Sequence, residues 1–198
     1  MTEPDGRRPS VTVGFVVAGG DSQRMGRDKA LLPWGGADLL DHAIARLRAV
    51  TDDVRILCGP RTRYLDRGLP VHPDLAPGAG PLGGVLTGLA AAPDRPGLFL
   101  AVDLPHVPVA LLARLVERAG GRDAVVPVSP RGPEPLCALY GPACREPIRR
   151  RVAAGDLKMT AFWPEVRVLQ PGAAELREFG DPEGMFRNLN APEDLIAK

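Results

Sequence analysis

Short apolar runs alternate with longer stretches of helical periodicity along the chain's 198 residues. Residues 11–17, Val-Thr-Val-Gly-Phe-Val-Val, predict a first strand. Residues 38–50 place Leu40, Ala43, Ile44, Leu47 and Val50 on one helical face, with Asp38 positioned to cap its start. Further strands are predicted at 54–58, 69–72, 98–102, 124–128, 136–140 and 166–169. Helices are predicted at 83–92, 109–118, 144–154 and 192–197, with another helical stretch near 159–162. Strands alternating with helices imply right-handed βαβ crossovers and an α/β fold: three Rossmann-like layers, a mostly parallel sheet with helices on both faces. The apolar runs carry few charges, as strands covered on both sides require. In such sheets ligands sit beyond the carboxyl ends of the strands. The chemistry-bearing residues fall there: 18–29 after the first strand, Asp74 after the third, Asp103 after the fourth.

The first of these segments is the most informative. Residues 18–29 read Ala-Gly-Gly-Asp-Ser-Gln-Arg-Met-Gly-Arg-Asp-Lys. Glycines let backbone N–H groups turn toward an anion, and Arg24 and Lys29 add a planar cationic fork and a mobile point charge. A triphosphate needs this combination. The segment is not a Walker A loop, which requires Gly-x-x-x-x-Gly-Lys-Ser/Thr, nor a dinucleotide fingerprint, because Leu31-Leu32-Pro33 interrupts any following helix. Asp103 ends the apolar run Phe99-Leu100-Ala101-Val102. A carboxylate there needs a partner or a cation, and a phosphate-bridging Mg2+ takes one or two such oxygen ligands. The alternative role for Asp103 is to cap the turn at Pro105. Residues 74–84 form a loop of small residues that lets backbone approach a flat base, and an acid such as Asp74 can accept from both guanine N–H groups.

Composition narrows the class. Apolar content of 44%, charged content of 25% and net charge +1 describe a globular chain with no whole-molecule attraction to nucleic acid or membrane surfaces. Gly 23 and Pro 22 are spread out, indicating many tight loops. Cys58, Cys137 and Cys144 lack metal or disulfide spacing and read as reduced thiols of a cytoplasmic protein. His42, His72 and His106 read as surface or loop residues. Residues 1–10 are polar and read as a flexible leader before a single domain, 11–198.

From Ala18 to Lys29 the chain resembles the nucleotidyltransferase superfamily loop Leu-Ala-Gly-Gly-x-Ser-x-Arg-Met-Gly-x-Asp-Lys, with Val17 in place of Leu, and is most similar to the molybdenum cofactor guanylyltransferases. Four later pieces match in order: Asp74 with Gly80-Pro81-Leu82-Gly83-Gly84, the Asp103 turn, Arg131-Gly132-Pro133-Glu134-Pro135-Leu136, and Phe186-Arg187-Asn188-Leu189-Asn190-Ala191-Pro192. Gly155-Asp156-Leu157-Lys158 resembles a further acceptor-side segment. The family's Asn-rich stretch after the second strand is replaced by Cys58-Gly59-Pro60-Arg61, which puts a base contact there in doubt.

The resemblance implies the nucleotide-diphospho-sugar transferase type of fold. It implies transfer of GMP from GTP to molybdenum-molybdopterin, with pyrophosphate released. Arg24, Lys29 and Asp103 would be catalytic, Asp103 holding Mg2+ (or Mn2+). Val17, Ala18, Gly19, Gly20, Lys29, Asp74, Gly80, Pro81, Leu82, Gly83, Asp103, Asn188 and Asn190 would surround the nucleotide and metal. Arg131 and Lys158 could meet the acceptor's phosphate. Asp74 could touch base, ribose or metal. Asn190 also suits a helix N-cap, and Asn188 is less readily explained that way. The implied partners are small molecules, GTP and Mo-molybdopterin, without nucleic acid or membrane, and with transient contacts to other cofactor-biosynthesis or target enzymes; the chain would be a monomer or weak oligomer. Three other readings stay open: a CTP-dependent molybdopterin cytidylyltransferase, a sugar- or alditol-phosphate nucleotidyltransferase, and a nucleotide-binding module without catalysis.

Overall fold

The run Val13–Val17 is buried along its whole length, as a central strand covered on both faces must be. The computed structural model describes residues 11–19 and 28–189. In chain order its elements are β1 (Val13–Val17), β2 (Pro33–Trp34), β3 (Ala37–Asp38), α1 (Leu39–Arg48), β4 (Asp53–Leu57), β5 (Val71–His72), α2 (Gly80–Ala91), β6 (Gly97–Ala101), α3 (Val109–Glu117), β7 (Ala124–Val125), β8 (Val128–Ser129), β9 (Gly132–Pro133), β10 (Cys137–Tyr140), α4 (Arg145–Ala153), β11 (Val168–Leu169), α5 (Ala173–Leu176) and α6 (Pro182–Met185). Among the described residues seven strands form one sheet in the order β11-β7-β10-β6-β1-β4-β5. β1 pairs in parallel with β4 and β6, Val17 lying opposite Leu57 and Ala101. β4 pairs in parallel with β5. The sheet is mostly parallel, as the sequence predicts.

Two glycines show how helices reach both faces. Gly14 and Phe15 are neighbours on β1 and so point to opposite sides. A Cβ at Gly14 would lie 3.2 Å from Leu47 of α1, whereas one at Gly88 of α2 would lie 3.3 Å from the Phe15 ring and 2.6 Å from that of Phe99. Helices α1 and α2 therefore cover opposite faces, with α3 beside α1 and α4 beside α2. Helix α1 buries Leu39, Leu40, Ala43, Ile44 and Leu47, and the Asp38 carboxylate caps it by accepting from the Asp41 N–H at 2.8 Å. On the α2 side the rings of Phe15, Phe99, Tyr140 and Phe162 touch in sequence.

Several expectations need correction. The helix predicted at 83–92 starts at Gly80, because Pro81 at the first turn needs no N–H partner. The strand predicted at 124–128 stops at Val125; Pro127 follows, and the chain turns into the β8–β9 hairpin. That hairpin reverses the chain, so β10 runs antiparallel between β6 and β7. Residues 159–162 form turns instead of a helix, which drops Phe162 into the core beside Tyr140. The closing helix predicted at 192–197 lies outside the described residues. No described helix is long and apolar enough to cross a membrane.

Candidate active site

The carboxyl ends of β1, β4, β5 and β6 open on one edge of the sheet, and the backbone knits them there. Ala18 N–H donates to Leu57 O at 2.9 Å, Val102 N–H to Val17 O at 3.2 Å and Asp74 N–H to Gly59 O at 2.9 Å. A cavity of about 350 Å³ lies over this edge, with Val17, Gly19, Pro60, Asp74, Gly80 and Pro81 in its wall. Leu57, Gly78, Gly84 and Leu136 complete the lining. Gly19 must be glycine for close approach: a Cβ there would lie 2.8 Å from the Gly59 backbone. The Asp74 carboxyl is pushed above its usual range by burial.

Lys29 and Asp103, 74 residues apart, meet beside this edge. Lys29 Nζ donates to Asp103 Oδ2 at 3.1 Å. Both side chains are partly accessible, 17% and 26% exposed, so the pair is shielded yet reachable by a ligand. Lys29 opens the short 3-10 turn Lys29–Leu31, whose Ala30 N–H is capped by Asp28 Oδ1. From the other end of the chain, Leu189 N–H donates to the Asp103 carbonyl at 3.1 Å. Asn188, exposed, thus sits one residue from the backbone that carries Asp103.

The remaining predicted residues divide as follows. Ala18 is buried at the end of β1. Leu82 is fully buried in the core, and Gly83 is buried with its Cα facing Ala79 and Ala76, so neither lines the cavity; the wall from α2 is made by Gly80, Pro81 and Gly84. Arg24, Gly20 and Asn190 lie outside the described residues. Arg131 donates to the Glu183 carbonyl at 3.0 Å, and Lys158 is exposed. Ser129 Oγ donates to Glu134 Oε1 at 2.7 Å, and burial raises the Glu134 carboxyl above its ordinary range.

With this geometry in hand, comparison with known proteins decides the family. A family model for the MobA-like NTP transferase domain matches residues 14–166. The chain belongs to this family. It is 36% identical over 183 residues to a probable molybdenum cofactor guanylyltransferase of Pelotomaculum thermopropionicum, covering 92% of this chain and 89% of that one. It is 40% identical over 187 residues to a molybdenum cofactor guanylyltransferase of Cereibacter sphaeroides, covering 92% of each. Among solved structures, it superposes with a TM-score of 0.76 on molybdopterin-guanine dinucleotide biosynthesis protein A from Archaeoglobus fulgidus, at 23% identity, covering 93% of this chain and 95% of that one.

Two groups in this MobA-like domain escaped the sequence reading. Arg46 on α1 donates to Pro105 O at 2.7 Å and Val107 O at 2.6 Å, holding the turn that follows Asp103. Its Nε lies 2.8 Å from His42 Nε2. The same ring nitrogen lies 3.0 Å from the Pro105 carbonyl, so the imidazole sits where the Arg46 guanidinium and this backbone acceptor meet. Burial pushes its pKa below the usual histidine value, against the opposing pull of the Pro105 carbonyl and with help from the nearby Arg46 charge. His42 is therefore a helix residue with a bonded ring, not the surface or loop residue expected. Trp34 sets its ring edge-on to His106 at 5.2 Å, on the same turn. The second group is Arg63 and Tyr64, both bonded to Asp28. The only signal for Arg46 was its spacing of four from His42 on a helix; its acceptors are backbone carbonyls, which leave no mark in sequence.

Proposed function

We propose that this chain transfers GMP from GTP to the terminal phosphate of molybdenum-loaded molybdopterin, forming the guanine dinucleotide cofactor and pyrophosphate. The observation that carries the reading is the meeting of Lys29 and Asp103 beside a cavity that the first glycine-rich flank, Asp74 and the start of α2 share. Membership of the MobA-like family and the names of its relatives support the choice of guanine and of a molybdopterin acceptor.

The chemistry needs no protein nucleophile. An acceptor phosphate oxygen, already anionic, attacks the α-phosphorus in line; the new P–O bond forms as the bond to the β-phosphate oxygen breaks, and pyrophosphate leaves with that electron pair. The protein's contribution is positioning and charge neutralisation. Lys29 supplies a positive charge against the phosphates, and Arg24 adds a second. Asp74 accepts from the guanine ring N–H and amine in a half-buried setting where its charge is poorly solvated, so a donor edge relieves it.

Asp103 also fits a divalent cation. It offers one accessible carboxylate already facing a positive charge, and Mg2+ or Mn2+ shared with phosphates takes one or two carboxylates and fills its shell with phosphate and water. When bound, such an ion offsets charge on the α-phosphate and the leaving pyrophosphate. With Asp103 holding such an ion, the Lys29 ammonium beside it would serve the phosphates.

A panel of GTP, CTP, ATP and UTP, each with magnesium, read by thermal shift, tests nucleotide choice. Selective stabilisation by GTP is expected, because a ligand bound only by the native state raises its stability. Selective stabilisation by CTP would replace guanylyl with cytidylyl transfer.

A further inference from the structure

We infer that Arg63, assisted by Tyr64, is a positioning residue for the triphosphate, fastening the two flanks of the glycine-rich sequence together and thereby setting the direction of Lys29; this rests on the nucleotidyl-transfer reading above. The guanidinium spans three partners. Its Nη1 donates to Asp28 Oδ2 at 2.9 Å, and its Nη2 donates to Cys58 O at 3.0 Å and approaches Ala18 O at 3.4 Å. One side chain thus joins the end of β1, the end of β4 and the residue immediately before Lys29. Ala18 and Asp28 stand on either side of residues 20–27 in the chain, so Arg63 fixes both flanks against the same sheet edge.

Tyr64 reinforces the same acceptor. Its hydroxyl lies 2.9 and 2.8 Å from the two Asp28 carboxylate oxygens and donates to that carboxylate. Its backbone φ is +66°, the one positive value among non-glycine described residues. An L residue adopts that region only when its surroundings hold it there. Here the conformation accompanies a buried phenol aimed at Asp28. Asp28 then caps Ala30 N–H and starts the turn on which Lys29 reaches Asp103. The path Arg63–Asp28–Lys29–Asp103 consists of hydrogen bonds and adjacent residues throughout. The planar fork spreads its donors over separate nitrogens to reach these three acceptors, whereas the three donors of a lysine radiate from a single nitrogen and cannot span them in the same way.

The test uses the full-length chain and variants Arg63→Met, Arg63→Lys, Tyr64→Phe, Asp28→Asn and the Arg63→Met/Asp28→Asn double. Two probes are titrated calorimetrically with magnesium, GTP and inorganic tripolyphosphate, and steady-state kinetics are measured with GTP and acceptor. Wild type binding neither probe would refute the transferase reading itself. With wild type binding both, Arg63→Met is expected to weaken GTP and tripolyphosphate together by roughly tenfold and to raise KM for GTP while leaving KM for the acceptor unchanged. Tyr64→Phe is expected to do the same to a smaller degree, with the ligand-free melting temperature close to wild type. Arg63→Lys is expected to restore only part of the loss. The double variant is expected to bind no worse than Asp28→Asn alone, because Arg63 acts through Asp28. Unchanged binding in Arg63→Met and Tyr64→Phe, loss of GTP with tripolyphosphate retained, full rescue by lysine, or additive losses in the double variant would each overturn the proposal.

Discussion

The two halves of the sheet use the same side-chain chemistry to different ends. At the strand ends of the parallel side, β6-β1-β4-β5, two partly buried ion pairs join residues distant in sequence: Lys29 with Asp103, Arg63 with Asp28. Around β10, β7 and β11 the arginine of each pair lies more open to solvent: Arg149 and Arg150 with Glu146, Arg150 and Arg151 with Glu165, Arg167 with Asp123. Screening and side-chain entropy leave exposed pairs little net effect, whereas a shielded pair fixes the atoms it joins. Charge therefore builds geometry at these strand ends. Arg46 also builds geometry there, tying the Asp103 turn to α1 through backbone carbonyls.

If that contrast is right, substitutions on the parallel side should act far out of proportion to their size. Asp103→Ala and Lys29→Ala should each lower turnover by about a thousandfold while circular dichroism and melting temperature remain native-like, since each removes charge complementarity at the reacting phosphates. Wild-type rates in either variant would remove that residue from the site. Gly19→Val should destabilise by about 2 kcal/mol in a urea titration and abolish GTP binding, because its Cβ meets the Gly59 backbone. Arg46→Ala should destabilise by roughly 1–2 kcal/mol, as two carbonyls lose their donor, and should also lower kcat.

A pH titration sharpens the comparison further. Burial holds His42, His72 and His106 below the ordinary histidine pKa. The unfolded chain therefore takes up protons first as pH falls, so stability is full above the unfolded value near 6.5 and declines from there through the folded values. His42→Gln should flatten that decline. Asp123, held at about 2 by hydrogen bonds from Arg167, loses its contribution only in far stronger acid, as pH drops from the unfolded carboxylate range toward 2. The two windows separate the α1–Asp103 turn from the antiparallel edge in one experiment. The smallest effect belongs to Arg149→Ala, fully on the surface, which should leave the melting temperature within error at moderate salt.

Much of this was legible in sequence because burial on both faces writes itself as uninterrupted apolar runs. The strands at 13–17 and 97–101 show it, and so does the amphipathic face of α1. The position of Asp103 and Asp74 at strand ends followed from the rule for open α/β sheets. Strand direction was not legible: Cys137–Tyr140 reads the same parallel or antiparallel, and the reversing hairpin is made of only two residues per strand. The start of α2 was misread because Gly80-Pro81 looks like a loop until Pro81 is recognised as a first-turn residue. The Arg46 and Arg63 contacts were hidden because most of their acceptors are main-chain carbonyls, which every residue has. The Lys29–Asp103 pair was only implied, since nothing in either local sequence fixes a distance between positions 74 residues apart.

The central claim, that Lys29 and Asp103 converge with the cavity edge on one guanine nucleotide whose α-phosphate is transferred, has a direct measurement. GTP and CTP carrying a radiolabel on the α-phosphorus are each incubated with enzyme, magnesium and molybdenum-loaded molybdopterin, and the products are separated. The label from GTP should appear in a guanine dinucleotide, with one pyrophosphate released per label transferred, and Asp103→Ala should abolish the transfer. Label reaching the acceptor from CTP in preference to GTP, or remaining in the nucleotide with active wild-type protein, would contradict the account.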